Sequence, residues 1–124
     1  MVVPSLGADE SWRQCLHGLV AQTFQGFEVI IVDNSGSGRV QDAPSGVRVI
    51  ANRSNVGFGA AINQGVRAAG APFVVALNDD AVPAPQWLEK LVACAKQHPE
   101  VGMFASEVHM GDTATLDSSG MCIA

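Results

Sequence analysis

Charged residues are scarce in this sequence, and positive charge is the scarcer sign. Only 15% of the 124 residues are charged, with seven Lys and Arg against twelve Asp and Glu, for a formal net charge of −5. Nucleic-acid-binding domains neutralise phosphates with a clustered basic face, whereas the basic residues here are scattered. The composition therefore argues against a nucleic-acid partner. A small phosphate ligand stays compatible with it, because a metal ion or a helix N-terminus can hold one.

Long apolar runs and paired cysteines are also missing. No stretch approaches the roughly 18 apolar residues that cross a bilayer, and the first residues do not have the pattern of a secretory signal. Cys15, Cys94 and Cys122 are an odd number without close pairing, and no CxxC or His–Cys spacing indicates zinc. We therefore expect buried thiols and a cytoplasmic protein, with the inner face of the membrane as the alternative location.

Apolar residues, by contrast, make up 48% of the chain, enough to build a core. Short apolar runs rich in β-branched residues predict buried strands, and they alternate with amphipathic helices. This alternation is typical of an α/β three-layer sandwich with a mainly parallel central sheet. Residues 1–124 are predicted to form one domain. After the remnant of a strand at 2–4, the predicted strands are 27–32, 47–51, 73–77 and 101–105.

Three helices are predicted between these strands. The first has Asp9 as its N-cap and ends near Gln22. The second covers 56–69, with Asn55 as its N-cap. The third starts at Pro83 and Pro85, and a polar loop with a hairpin-like edge is expected over 111–120.

Acidic residues directly follow two of the predicted strands. Asp33 ends the first, and Asn78-Asp79-Asp80 ends the other. Either group alone fits ordinary turn chemistry, but both at one sheet edge favour a ligand site, because ligands of open α/β sheets bind there. The oxygen ligands of the second group suit Mg²⁺ or Mn²⁺. On an extended segment Asn78 and Asp80 would address one ion, and Asp79 would turn elsewhere, toward a ribose hydroxyl.

Residues 52–59 form a second polar segment that leads into a helix. Their small side chains would let backbone N–H groups approach a ligand, and the alternative is a capped helix whose glycines serve packing. Gly57-x-Gly59 lacks the third glycine of a dinucleotide fingerprint, and no GxxxxGK[ST] motif is present. A nicotinamide enzyme and a P-loop NTPase are therefore poor fits.

Three segments of the chain together form a recognisable pattern. In chain order they are VIIVDNSGSG at 29–38, NRSNVGFGAAINQG at 52–65 and FVVALNDDAVPAPQWLEKL at 73–91. In this order they resemble family 2 glycosyltransferases of the GT-A, nucleotide-diphospho-sugar transferase fold. The likeness is greatest to the bacterial branch that includes rhamnosyltransferases and other cell-surface polysaccharide enzymes, and the first helix shares it.

The resemblance implies a role for each matching position. Asp33 would contact the base or ribose of the sugar donor, and Asp79 would share in donor binding. Asp80, with Asn78, would hold a Mg²⁺ or Mn²⁺ ion that bridges the donor diphosphate. The donor pocket would be lined by Asn55, Gly57 and Asn63.

Two departures from the family pattern stand out. Family members usually have a longer first strand that ends in Thr or Ser and an aromatic–Asn pair, and residues 4–7, Pro-Ser-Leu-Gly, stand in that place. The family's catalytic base is an acid further along, whereas Glu107, Asp112 and Asp117 lie in no comparable motif. The catalytic base is therefore left unassigned, and 1–124 is interpreted as the donor-binding half of an incomplete domain without its acceptor half.

The resulting prediction is a glycosyltransferase domain of bacterial surface-polysaccharide synthesis. It would move a sugar from a UDP- or dTDP-linked donor to a hydroxyl of a saccharide or lipid-linked acceptor. The alternative is a non-catalytic nucleotide-sugar-binding or interaction module. A nucleotidyltransferase fits less well, because residues 6–9 lack its Gly-rich basic loop. Without the acceptor half, an apolar face that it would cover is exposed, which would favour a homodimer or poor solubility.

Overall fold

The computed structural model describes residues 1–111 and 115–118 of the chain. They divide into two compact units, 1–88 and 89–124, and helix α3 spans the division. The described elements, in chain order, are β1 (Val2–Ser5), α1 (Ser11–Val20), β2 (Val29–Asp33), β3 (Val47–Ala51), α2 (Phe58–Ala68), α3 (Trp87–Gln97), β4 (Val108–His109) and β5 (Leu116–Ser118).

The first unit is built on a parallel sheet in the order β1-β2-β3. The register places Ser5 opposite Asp33, and Asp33 opposite Ala51. All three strands therefore end at one edge, as a parallel α/β sheet requires. The mixed α/β fold with a parallel sheet, predicted from the sequence, is confirmed.

Helix α2 covers one face of this sheet. Val2, Ile30 and Val32 form a fully buried cluster with Ala61 of the helix. The backbones approach so closely at Gly65 that a Cβ there would overlap the side chain of Val2. The opposite face is also shielded from water, since Val3 and Ile31 are fully buried. The helical spacing predicts five apolar positions on one face of α1. Four of them are buried, namely Trp12, Cys15, Leu16 and Leu19, but the prediction is wrong for Val20, which is 73% exposed.

The helix starts differ from the prediction. Helix α1 has Glu10, not Asp9, at its N-cap, and Asp9 Oδ1 instead accepts a hydrogen bond of 2.9 Å from the Ser11 amide. Helix α2 begins after Gly57 rather than after Asn55. Gly57 has φ 86°, a conformation that a side chain disfavours, so it is the residue at which the chain turns into the helix.

The segment 73–77 lies beside β1 but is less regular than predicted. Val2 N donates to Val75 O at 2.8 Å, and Leu77 N donates to Val2 O at 3.0 Å, which forms a single parallel bridge between Val2 and Ala76. Phe73 and Val74 are exposed, so the prediction of a buried strand is wrong. Within residues 1–88 the segment pairs with β1 alone, which leaves its other edge open.

The second unit contains the rest of α3 and a two-stranded antiparallel sheet, β4-β5. The hairpin-like edge is thus present in part, although 112–114 and 119–124, including Asp112 and Cys122, lie outside the described residues. The strand predicted at 101–105 is wrong: these residues form no regular structure, and no described strand pairs with them. Of the described residues, no helix is long and apolar enough to cross a membrane.

Candidate functional site

The carboxyl edge of the sheet brings together the two acidic groups that the sequence singled out. Ser5 is opposite Asp33 in the β1–β2 register. Ser5 Oγ donates a hydrogen bond of 2.6 Å to Asp79 Oδ2, which brings Asp79 to the end of β1. Asp33 and Asp79 therefore both lie beside the end of β1, as expected for a ligand site in this type of fold.

A cleft of about 480 Å³ opens at this edge, entirely within the first unit. Three carboxylates, of Asp9, Asp79 and Asp80, line it, and none of the described lining residues is Lys or Arg. The cleft therefore has negative potential and favours a cation. Its lining residues are Pro4, Ser5, Leu6, Ala8, Asp9, Ser11, Asn34, Asn55, Gly57, Phe58, Asn78, Asp79 and Asp80.

The predicted metal motif is in a turn, not an extended segment. Ala81 N donates to Asn78 O at 3.2 Å, so the alternation argued for Asn78 and Asp80 does not apply. Both side chains nevertheless line the cleft and are exposed. Asp79 lies deeper, where its Oδ2 accepts a hydrogen bond of 2.6 Å from Ser5 Oγ.

These donors define what kind of metal site the cleft can offer. Among the described residues, no group of three His, Cys, Asp or Glu side chains is placed to enclose an ion. The motif supplies two carboxylates and one amide. Mg²⁺ is commonly held by one or two carboxylates while phosphates and water complete its coordination. The donor set therefore fits a cation that binds together with a phosphate ligand.

Asp33 lies at the end of β2 but is turned into the protein. Its side chain is only 1% exposed, and its two oxygens accept hydrogen bonds of 2.9 Å from the amides of Ser35 and Val40. Burial alone would raise the pKa of Asp33, but the hydrogen bonds from Ser35 and the backbone outweigh it and lower the pKa. Asp33 does not line the cleft. Its hydrogen bonds instead stabilise the conformation of the loop 33–40.

Asn55 and Gly57 line the cleft, and Asn34 joins them to the sheet. Asn34 Nδ2 donates to Asn55 Oδ1 at 2.8 Å and to Gly57 O at 3.4 Å. Asn34 Oδ1 accepts from Val56 N at 3.0 Å. Asn63, by contrast, is exposed on α2 and does not line the cleft.

Several lining residues were not predicted as site residues, among them Ser5, Asn34 and Phe58. Ser5 could have been found, because it follows β1 as Asp33 follows β2. Asn34 could have been found as the neighbour of Asp33. Phe58 is 56% exposed at the first position of α2, and such an apolar residue at the start of a helix gives no clear signal in the sequence.

The cysteine predicted to be buried in the first unit lies behind the metal motif. Cys15 is fully buried, and its Sγ lies 3.7 Å from Asn78 O. Burial, followed by the negative charges of Asp79 and Asp80, raises the pKa of Cys15 to about 12. The thiol is therefore neutral and acts as part of the core, whereas Cys94 is half-buried and also free.

The family model of glycosyl transferase family 2 matches residues 1–117. The chain belongs to this family. An uncharacterised glycosyltransferase of Haemophilus influenzae is 33% identical over 104 residues, which is 82% of this chain and 35% of the relative. Another, of the same organism, is 28% identical over 103 residues, covering 77% of this chain and 39% of the relative. The chain thus spans about a third of the length of these relatives.

Solved structures show the same fold. Residues 1–349 of TarS from S. aureus, in complex with UDP-GlcNAc, align with a TM-score of 0.70 at 22% identity. The alignment covers 79% of this chain and 31% of that one. A further crystal structure of TarS residues 1–349 aligns with a TM-score of 0.70 at 21% identity. The predicted GT-A fold is thereby confirmed.

Proposed function

We propose that this family 2 chain is the donor-binding portion of a glycosyltransferase. It would bind a nucleotide-diphosphate sugar, UDP- or dTDP-linked, and present the sugar for transfer to an acceptor hydroxyl. The observation that carries the proposal is the cleft at the carboxyl edge of the sheet, where Asn78, Asp79 and Asp80 meet the loop of Asn55 and Gly57.

The charge of the cleft supports the involvement of Mg²⁺ or Mn²⁺. Three carboxylates line it without a described Lys or Arg, so a diphosphate alone would be repelled. A divalent ion held by Asp80 and Asn78 would offset that repulsion, and when bound it would stabilise the charge that develops on the departing nucleoside diphosphate. The proposal thus assigns Asp80 and Asn78 to the cation.

The remaining residues would position the donor. Ser5 holds the carboxylate of Asp79 by the 2.6 Å hydrogen bond, so that one carboxylate has a fixed orientation before any ligand arrives. The loop of Asn55 and Gly57 would lie along the nucleotide, and Asp33 would support it indirectly, through the loop 33–40. Removal of the acceptor's proton requires a general base, which we assign to no residue of this chain. The cell-surface polysaccharide pathway, with a saccharide or lipid-linked acceptor, remains part of the proposal because of the sequence resemblance.

The test is calorimetric titration of the chain with UDP and with dTDP, with and without Mn²⁺. We expect nucleotide binding to depend on the metal. Asp80→Asn should lower the affinity at least about tenfold, because the substitution removes one charged ligand of the ion. Asp42→Asn is the matched control. It removes one carboxylate from an exposed site outside the cleft, and Asn tolerates the φ of 55° found there.

Each outcome of the titration decides between functions. Metal-dependent binding lost in Asp80→Asn and kept in Asp42→Asn supports the donor site. Binding of either nucleotide with no effect of metal or of Asp80→Asn would favour a non-catalytic binding module. Absence of binding by the folded chain would contradict the proposed function.

A further inference from the structure

Four amide side chains form one connected network beside the cleft. They come from the end of β2, from the loop before α2 and from α2 itself. The oxygen and nitrogen of a side-chain amide are assigned from their hydrogen-bonding partners. Here two backbone N–H groups, which can only donate, identify the oxygen of two of the side chains. Val56 N donates to Asn34 Oδ1 at 3.0 Å, and Gly57 N donates to Asn55 Oδ1 at 2.9 Å. Both side-chain oxygens are thereby identified.

Asn34 uses its full hydrogen-bonding capacity inside this network. Its Oδ1 accepts from Val56 N and from Asn52 Nδ2, the latter at 3.1 Å. Its Nδ2 donates to Asn55 Oδ1 and to Gly57 O. An Asn side chain offers two donor hydrogens and two acceptor lone pairs, so none is left for a ligand. Asn34 is also only 5% exposed, although it borders the cleft.

The network is closed on its far side by a reciprocal pair. Asn52 Nδ2 donates to Gln64 Oε1 at 2.8 Å, and Gln64 Nε2 donates to Asn52 Oδ1 at 2.9 Å. Because both ends of Asn52 are engaged, it cannot rotate its amide without breaking the pair. The orientation of Asn34 is therefore fixed from α2 as well as from the backbone of Val56.

Asn55 differs from the other members because its two ends have unequal roles. Its Oδ1 accepts from both Gly57 N and Asn34 Nδ2, which fills the oxygen. Within the described part of the chain, its Nδ2 donates to no group, and the side chain is exposed at the cleft. The group that Asn55 offers to a ligand is therefore an N–H donor.

We propose that Asn34 is a positioning residue that fixes the amide of Asn55, so that Asn55 donates a hydrogen bond to an acceptor oxygen of the bound nucleotide. The acceptor is a carbonyl, phosphate or hydroxyl oxygen of the nucleoside diphosphate. This inference rests on the proposed function, since it assumes that the cleft takes a nucleotide. It adds the polarity of the contact and the residue that sets it.

Affinity for UDP in the presence of Mg²⁺ tests the polarity. Asn55→Ala removes the donor, and we expect a loss of about tenfold, the size of one net hydrogen bond. Asn55→Asp replaces the donor with a charged acceptor, so its loss is expected to exceed that of Asn55→Ala. Gln14→Glu is the control, because it adds the same charge on an exposed position of α1 outside the cleft. If Asn55→Asp binds UDP as tightly as the unmodified chain, the proposal is wrong.

Side-chain amide NMR signals test the positioning directly on the unmodified chain. The Asn34 NH₂ protons, both hydrogen-bonded, should exchange slowly with water, and the Asn55 NH₂ signals should exchange fast and shift when UDP and Mg²⁺ are added. In Asn34→Asp the new carboxylate would face Asn55 Oδ1, and the Asn55 amide should turn over to donate to it. The Asn55 NH₂ protons should then exchange slowly with water, and their signals should no longer shift when UDP is added. The affinity for UDP should fall by about as much as in Asn55→Ala.

The outcomes separate this inference from the function on which it depends. If UDP binds but leaves the Asn55 NH₂ signals of the unmodified chain unmoved, the inference fails and the proposed function stands. The inference also fails if Asn34→Asp remains folded by circular dichroism and binds UDP with unchanged affinity. If UDP does not bind the unmodified chain under any metal condition, the proposed function and the inference fail together.

Discussion

Ser5 Oγ donates a hydrogen bond of 2.6 Å to Asp79 Oδ2, across 74 positions of sequence. The same hydroxyl oxygen accepts a hydrogen bond of 3.0 Å from the amide of Gly7. Because a carboxylate oxygen can only accept, the hydroxyl hydrogen is directed at Asp79, and the Gly7 amide uses a lone pair of the same oxygen. Ser5 is buried, so water competes poorly for this bond. The end of β1 thus orients one acid of the cleft.

This relationship predicts the behaviour of substitutions at Ser5. Ser5→Ala should weaken metal-dependent UDP binding about fivefold to tenfold, because Asp79 loses its fixed orientation and a net hydrogen bond of about 1 kcal/mol. Ser5→Thr, which keeps the hydroxyl, should restore most of the affinity. The measurement is calorimetric titration with UDP and Mn²⁺.

The exposed Ser45→Ala serves as the matched control for Ser5→Ala, because it removes a hydroxyl from the turn before β3. It should leave the affinity unchanged. If Ser5→Ala and Ser45→Ala bind UDP equally well, the hydrogen bond to Asp79 has no role in the site.

Asp33 should matter for stability at neutral pH. In Asp33→Asn the new amide nitrogen would face one of the two N–H donors, of Ser35 or Val40, and leave it buried without a partner. We expect a loss of about 1–3 kcal/mol in the free energy of unfolding, measured by urea denaturation at pH 7. The exposed Asp42→Asn should change it by less than about 0.5 kcal/mol.

The effect of Asp33 should depend on pH in a direction set by its pKa. Hydrogen bonds hold the pKa of Asp33 below its ordinary value in the folded chain, although burial opposes them. Its stabilisation is therefore fully present above the unfolded pKa of about 3.9 and is lost as the pH falls through the folded pKa. Urea denaturation from pH 7 downwards measures the free energy of unfolding of the unmodified chain and of Asp33→Asn. The difference between the two should narrow only below about pH 4. A difference that already narrows between pH 7 and 5 would contradict this assignment.

The sequence predicted the sheet and the edge of the site because both depend on local patterns. Apolar runs identify β2 and β3, and parallel pairing then fixes where the acids that follow them must meet. The prediction for Asn78 and Asp80 assumed an extended segment, but a turn forms there. Local composition did not distinguish the two, because Asn and Asp are common in both ligand sites and turns.

Other features depend on partners that a sequence pattern does not reveal. Asn34 acts through Asn52, Asn55 and Gln64, and nothing in the residue itself indicates which of its neighbours it binds. The apolar run at 101–105 has the composition of a strand, but strand formation requires a partner strand, and none of the described residues supplies one. The order of apolar runs and polar residues therefore indicated where the candidate site lies, but not how its side chains are hydrogen-bonded.

Gly65 should be sensitive to the smallest side chain. A Cβ at this position of α2 would overlap the side chain of Val2 in the fully buried core of the first unit. Overpacking of this kind outweighs the better helix propensity of Ala, so Gly65→Ala should lower the free energy of unfolding by about 1–3 kcal/mol.

Gly59 lies in the same helix and provides the matched comparison, because a Cβ there would meet nothing within 4 Å. Gly59→Ala should raise the free energy of unfolding by about 0.5–1 kcal/mol through helix propensity alone. Thermal or urea denaturation of the two variants measures both effects. If both substitutions stabilise the chain, helix α2 does not approach β1 as closely as the structure shows.

Cys15 should resist alkylation while the first unit stays folded. Burial, with the negative charges of Asp79 and Asp80 behind it, raises the pKa of Cys15 to about 12, so at pH 8 only roughly one thiol in 10⁴ is ionised. The thiolate is the reactive form, and the side chain is also inaccessible. Iodoacetamide labelling followed by peptide mass spectrometry should find Cys15 modified only after denaturant is added, and the half-buried Cys94 modified earlier.

The labelling rate of Cys15 should also respond to a ligand. Because labelling of Cys15 requires opening of the structure around Asn78, its rate should fall when UDP and Mg²⁺ occupy the cleft. Modification of Cys15 at the rate of Cys94, without denaturant, would show that α1 does not bury this thiol.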